Sequence, residues 1–264
     1  MLGVLRHRDF TLVWLAGLIS ETGDWLLITG LPVYVFTLTG SSLVMSTVFI
    51  AELIPNVVLG PLAGVLVDRV DRRGLLVIVL LMQSALLLCL FAVSSAGDLW
   101  LIYLVAVGES VLTQFVEPAK NALLPSLVGE HEVVAANGLI GLGENIARLV
   151  GSSLGGLAVV GGTLVGVTAG DTMSFVVAAL LVASTAGRVI DATTDGGHAS
   201  MCQEFVDGLR VVGRSAPLRA TFVSVAFGAL AQGLFVVLFV VFVARVLHGD
   251  ATEIGLLRGV QAIG

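Results

Sequence analysis

Asp68-Arg69-Val70-Asp71-Arg72-Arg73 is a charged island between two apolar runs, about Leu43 to Val67 before it and about Gly74 to Val93 after it. About 20 apolar residues are enough for a helix to cross the hydrocarbon core of a bilayer. Neither run shows the strict polar/apolar alternation of a barrel strand, so both read as helices. The rest of the chain has the same character. It has 264 residues, is 57% hydrophobic and 12% charged, and has a mean hydropathy of +1.04. Soluble domains carry about 25% charged residues. A chain this apolar takes lipid as its solvent, and the fold class expected is all-α, a polytopic transmembrane helical bundle.

Outward from the island, the same reading gives further spans. Segment one runs from about Phe10 to Phe36, followed by the uncharged turn Thr37 to Ser42. Segment four covers about Leu99 to Val116, ending near Pro118, with Lys120 in the loop after it. Segments five, six and seven cover about Val133 to Val160, Thr163 to Gly187 and Leu218 to Val246. Glu253 to Gly264 begins an eighth, and the chain is expected to stop inside it. Three regions follow: a six-helix bundle over 1–187, a polar linker over 188–217, and the start of a second bundle over 218–264. Within the linker, Met201, Phe205, Leu209 and Val212 form one helical stripe, which predicts a short amphipathic helix between Ala199 and Arg214.

Loop charge predicts the orientation. Arg6, Arg8, Arg69, Arg72, Arg73, Lys120, Arg188, Arg210, Arg214 and Arg219 all fall on one side if every segment crosses once, and Arg245 alone falls on the other. By the positive-inside rule the N-terminus and the long loop are cytoplasmic, in a multi-pass protein of the plasma (inner) membrane. The first span is interrupted by Glu21 and Asp24, so it does not read as a cleavable signal. Cys89 and Cys202 have no metal-ligand neighbours.

Several charges lie at membrane depth, where an ionisable side chain costs several kcal/mol unless it is paired or hydrated. They are Glu21 and Asp24 in segment one, Glu52 in segment two and Glu109 in segment four. Glu144 and Arg148 follow in segment five and Asp171 in segment six. Arg148 alone cannot neutralise so many carboxylates. The others are left to bind protons, to sit hydrated in a cavity, or to meet a cationic substrate, or they serve only as hydrogen-bond anchors between helices. Burial makes a carboxyl group hold its proton more tightly, as a proton carrier must. Asp24 and Glu109 are expected to line a central cavity. Glu144 and Arg148, at i and i+4, are expected to pair as a gate.

Gly64-Val65-Leu66-Val67-Asp68-Arg69-Val70-Asp71-Arg72-Arg73 resembles the signature between helices two and three of the major facilitator superfamily, with Asp71 where Gly is usual. The six-span, long-loop layout is similar to that superfamily too. Glu117-Pro118-Ala119, Asn121-Ala122-Leu123-Leu124-Pro125 and Ala136-Asn137-Gly138 look like its drug and siderophore exporter branch, which includes macrolide efflux and enterobactin exporter proteins. Gly151-Ser152-Ser153-Leu154-Gly155-Gly156 resembles the helix-five antiporter motif, with Ser152 where Pro is expected. The resemblance implies the major facilitator fold and two halves rocking about a midplane site. It also implies a conformational lock built from Gly64, Asp68, Arg69, Arg72, Arg73 and Glu117, with Glu117 as partner of Arg72. Gly64 is read as letting helices pack closely, and Gly151 and Gly155 as a small-xxx-small contact.

The function these observations imply is secondary active transport, with proton-coupled efflux of small amphipathic compounds in front. Solute uptake or lipid flipping by the same fold, and a truncated non-transporting membrane protein, stand beside it. Protons are the expected coupling ion. A missing C-terminal half or a second copy is expected to complete the pathway. No Walker-type phosphate cradle, histidine metal site or enzyme constellation is visible, so neither cofactor nor catalysis is expected. Basic residues are few and loop-bound, which leaves nucleic acid out as a partner.

Overall fold

The computed structural model describes residues 2–67, 69–158, 164–186, 210, 212–247, 249, 253, 254, 256, 257 and 260. Its long helices are α1 (Arg8–Thr39), α2 (Ser42–Val67), α3 (Arg72–Leu87, prolonged by a 3-10 turn Leu88–Ala92) and α4 (Leu99–Val128). They continue with α5 (Val133–Ala158), α6 (Val165–Ala183) and α7 (Ala216–Arg245). All seven are long and apolar enough to cross a membrane. Their outward side chains are apolar: Val134 is 84% exposed, Leu43 74% and Phe227 70%. Water would penalise such a surface and hydrocarbon does not. Most of the expected linker helix and most of the eighth segment lie outside the described residues, as does Asp68 of the charged island.

The helices stand in the spatial order α5–α1–α6–α3–α4–α2, each packed chiefly on its neighbours in that arc. Exchanging α1, α2 and α3 for α4, α5 and α6 maps the principal contacts onto themselves. The pair α1–α5 becomes α4–α2, α1–α6 becomes α4–α3, and α3–α6 is kept. Such a pattern is what an internal repeat of three helices produces. α1 touches α2 and α4 only slightly, which leaves space between these three helices. α7 meets the bundle along α2, and Arg245 lies over the Phe36 ring at 5.9 Å.

Close approach is concentrated where α5 crosses α1. A Cβ at Gly155 would stand 2.5 Å from the Leu26 carbonyl oxygen, and one at Gly151 would strike the Thr22 carbonyl oxygen. Gly23 of α1 likewise gives its place to the Asp171 and Ser174 side chains of α6. The small-residue reading of α5 therefore holds. For Gly64, no described residue lies within 4 Å of the Cβ it lacks.

The charged island is organised by Asp71. Its carboxylate accepts hydrogen bonds from the backbone N–H of Arg73 (3.2 Å) and Gly74 (2.9 Å) and so caps α3. A glycine there would leave those donors without that partner, so the departure from the usual signature is a helix cap. Arg73 donates to the Val182 and Ala183 carbonyls at the C-terminus of α6, where unpaired carbonyls and the helix dipole favour a cation. Asp71→Ala is expected to lower stability by about 1 kcal/mol, with Asp71→Asn near the parent. Melting of the detergent-solubilised protein checks this, and equal melting points for all three would remove the cap from the account.

The expected end of segment four near Pro118 is corrected. α4 runs unbroken through Pro118 and Pro125 to Val128. Proline removes one N–H from the helical ladder, and membrane helices tolerate that where neighbours support the backbone. Arg72 supplies one such contact, donating to the Ala122 carbonyl at 3.3 Å. Lys120 is thereby moved from a loop into the helix.

Candidate functional site

The space between α1, α2 and α4 is a cavity of about 300 Å³. Its apolar wall comes from Leu31, Pro32 and Val35 of α1 and Met45, Val48 and Phe49 of α2. Its polar wall comes from Glu21 and Asp24 of α1, Glu52 and Asn56 of α2, and Glu109, Ser110 and Thr113 of α4. A second cavity of about 330 Å³, nearer the basic end of the bundle, shares Glu21, Asp24, Trp25 and Thr113 with the first. It adds Glu117, Lys120, Glu144 and Arg148. The carboxylates singled out in segments one, two, four and five therefore do converge, because these residues face the gap that the arc of helices leaves open.

Their partners differ. Asp24, partly buried, makes no hydrogen bond to a described residue. Glu109 accepts one from the Gln83 side chain at 2.8 Å, while its other oxygen is buried with no donor. Gln83, only 1% exposed, also reaches the Thr113 hydroxyl at 3.2 Å. Glu52 is fixed through its backbone, since its carbonyl accepts from Ser110 Oγ at 2.5 Å and Asn56 Nδ2 at 2.9 Å. Gln114 donates to Asn56 in turn. These bonds tie α2 to α4 and leave the Glu52 carboxylate facing the cavity. Asp171 is fully buried in α6, one oxygen 3.3 Å from Ser174 Oγ and the other without a donor. It lies outside both cavity linings.

Lys120 is the residue the sequence reading misplaced. Its ammonium meets Glu21 of α1 at 2.7 Å and Glu117 of its own helix at 2.6 Å. Its side chain is 12% exposed. The signal was available: Ala119, Ala122, Leu123 and Leu124 carry the apolar character of the helix past Pro118. Glu117 and Lys120 then fall at i and i+3 on one face. Gln83 was missed as well, and its only signal was a polar residue inside the apolar run of α3.

Two expected pairings are corrected. Glu144 and Arg148 form no ion pair among the described residues. Arg148 instead donates to Asn145 Oδ1 at 2.8 Å and lies over the Trp25 ring at 5.4 Å, a cation–π contact of about 1 kcal/mol. Asn145 is nearer along the helix, and Trp25 presents an aromatic face across the α1–α5 crossing. Glu117 is held by Lys120, while Arg72 donates to the Ala122 carbonyl. Of the remaining lock residues, Arg73 lies beside the end of α6, and neither Arg69 nor Arg73 is in the lining of either cavity.

A family model of transmembrane secretion effectors matches residues 1–264. Macrolide efflux protein A of Streptococcus pyogenes is 27% identical over 176 residues, 66% of this chain and 44% of that protein. A macrolide efflux protein A of Enterococcus faecalis is 29% identical over 145 residues, 54% of this chain and 45% of its own length. The uncharacterized MFS-type transporter YfiS of Bacillus subtilis is 32% identical over 139 residues, 52% of this chain and 33% of its own. These matches span a third to somewhat under half of the relatives' lengths.

Proposed function

The chain belongs to the major facilitator superfamily, in its family of transmembrane secretion effectors, and on that premise we propose that it serves proton-coupled efflux of small amphipathic compounds. The observation that carries this reading is the cavity between α1, α2 and α4. One wall is apolar, and the other carries Asp24, Glu52 and Glu109 with no cation paired to them among the described residues. An amphipath with a cationic group is complementary to both walls. A carboxylate at that depth exchanges between charged and neutral forms when it takes or loses a proton, which links solute release to proton entry. The printed description of the streptococcal and enterococcal relatives as macrolide efflux proteins supports export and makes a macrolide a reasonable first substrate. We place the protein in the plasma membrane with its basic end cytoplasmic, as the positive-inside rule directs.

The test is uptake into inside-out vesicles against a panel of labelled amphipathic compounds, macrolides included, with and without a proton gradient. Accumulation is expected to depend on the gradient and to stop when it is collapsed. Asp24→Asn is expected to lower gradient-driven accumulation at least tenfold, in line with the roughly 10²-fold or greater contribution of positioned proton carriers. Undiminished proton-driven efflux in Asp24→Asn would take Asp24 out of the mechanism.

A further inference from the structure

We infer that Lys120 is a tethered internal cation that competes with the transported cationic group for Glu21. This rests on the reading of the cavity as a site for cationic amphipaths and adds how occupancy of that site is controlled. Glu21 belongs to the linings of both cavities. Asp24 is the other carboxylate common to both, and of the two only Glu21 is held by a cation among the described residues. Its place is taken by an ammonium at 2.7 Å. That ammonium comes from α4, a helix that otherwise barely touches α1. The Lys120–Glu21 bond is therefore a tie across the gap, on the side of the cavity toward the basic end.

The tie has a built-in alternative. Glu117, one turn before Lys120 on α4, already holds the same ammonium at 2.6 Å and is 55% exposed against 20% for Glu21. A cationic group arriving at Glu21, or a proton, displaces Lys120 without leaving it unpaired, because the ammonium stays on Glu117. A buried cation deprived of both partners would cost several kcal/mol; one that keeps a partner on its own helix does not face that cost. Charge is conserved at every stage: Glu21 exchanges one cation for another, and Lys120 keeps one carboxylate. The other charged groups bordering the second cavity are Asp24, Glu144 and Arg148. None of them is bonded to Lys120.

Competition makes a prediction opposite in sign to ordinary loss of function. Removing Lys120 should tighten binding of a cation and slow its release. The measurement is equilibrium binding of tetraphenylphosphonium, a lipophilic cation, to the purified full-length protein in detergent, with no gradient applied. Lys120→Gln is expected to bind the probe about tenfold more tightly than the parent, Lys120→Arg about equally, and Glu21→Gln about tenfold more weakly. Glu117→Gln supplies an arm that does not depend on the folding of Lys120→Gln. With its alternative partner gone, Lys120 stays on Glu21 and the probe binds about tenfold more weakly. Binding by the parent with unchanged or weaker binding in folded Lys120→Gln overturns the competition and leaves the export reading standing, as does unchanged binding in Glu117→Gln. No binding by the parent or any variant overturns both. Competition seen in binding, together with gradient-independent vesicle accumulation, would overturn proton coupling alone.

Discussion

Gly151→Val is expected to cost at least about 3 kcal/mol and to lower the melting temperature of the solubilised protein by roughly 10 °C. The added Cβ strikes the Thr22 carbonyl oxygen and lies 2.7 Å from Trp25 Cβ and 3.2 Å from the Leu26 nitrogen. Two of those three atoms are backbone, so no rotamer change relieves the clash. One turn later the Gly155 position meets Leu26 oxygen at 2.5 Å and Leu26 Cα at 3.1 Å. α5 and α1 would have to separate along the whole contact. In lipid there is no hydrophobic force to draw them together again, so lost packing is lost stability. Separation would also move Trp25 from under Arg148 and disturb the wall that carries Glu21 and Asp24. Gly141→Ala is the control, because no described residue lies within 4 Å of its missing Cβ. It should change the melting temperature by no more than about 2 °C. Equal melting points for Gly151→Val and Gly141→Ala would show that close approach is not what these glycines provide.

Glu109→Gln is expected to abolish gradient-driven export, by about a hundredfold, while leaving the fold intact. Gln has the size of Glu and keeps a carbonyl oxygen to accept the bond that Gln83 now gives Glu109 at 2.8 Å. What it lacks is exchange of a proton. Glu109→Leu should lose export as well and, in addition, about 1–3 kcal/mol of stability, since Gln83 is buried and would be left with a donor unmet. The pair of variants separates a transport role from a packing role. Vesicle accumulation and melting are measured on both. If Glu109→Gln exports normally, Glu109 is a hydrogen-bond anchor between α3 and α4, and the proton site must be sought at Asp24 and Glu52.

The membrane-spanning character, the number of long helices and the family likeness were legible from the sequence because they depend on local properties. An apolar run of sufficient length has only one way to satisfy its backbone in lipid. The motif around Asp71-Arg72-Arg73 and the glycines of α5 are contiguous in the chain. The role of Asp71 came from the structure, though it is itself local, since a cap involves only the next few residues. Asp24 and Glu109 were expected to line a central cavity and both border it; Glu52 joins them there, whereas Asp171, also at membrane depth, is buried in α6 outside both cavities.

Pairing was different. Arg148 has Glu144 one turn away and takes Asn145 and Trp25 instead, the latter from another helix. Lys120 read as a loop residue because Pro118 looked like a helix end, and one misjudged boundary hid the partner of Glu21. Gly64 carries a family motif yet has no described residue within 4 Å of its missing Cβ, whereas Gly151 and Gly155 meet bare backbone. Hydrophobic length and helix caps are one-dimensional, and the amino-acid order determined them. Which carboxylate meets which cation is set by distances of a few ångströms between helices far apart in sequence, and only the packing of α1 against α5 and α6, and of α4 against α2 and α3, decided it.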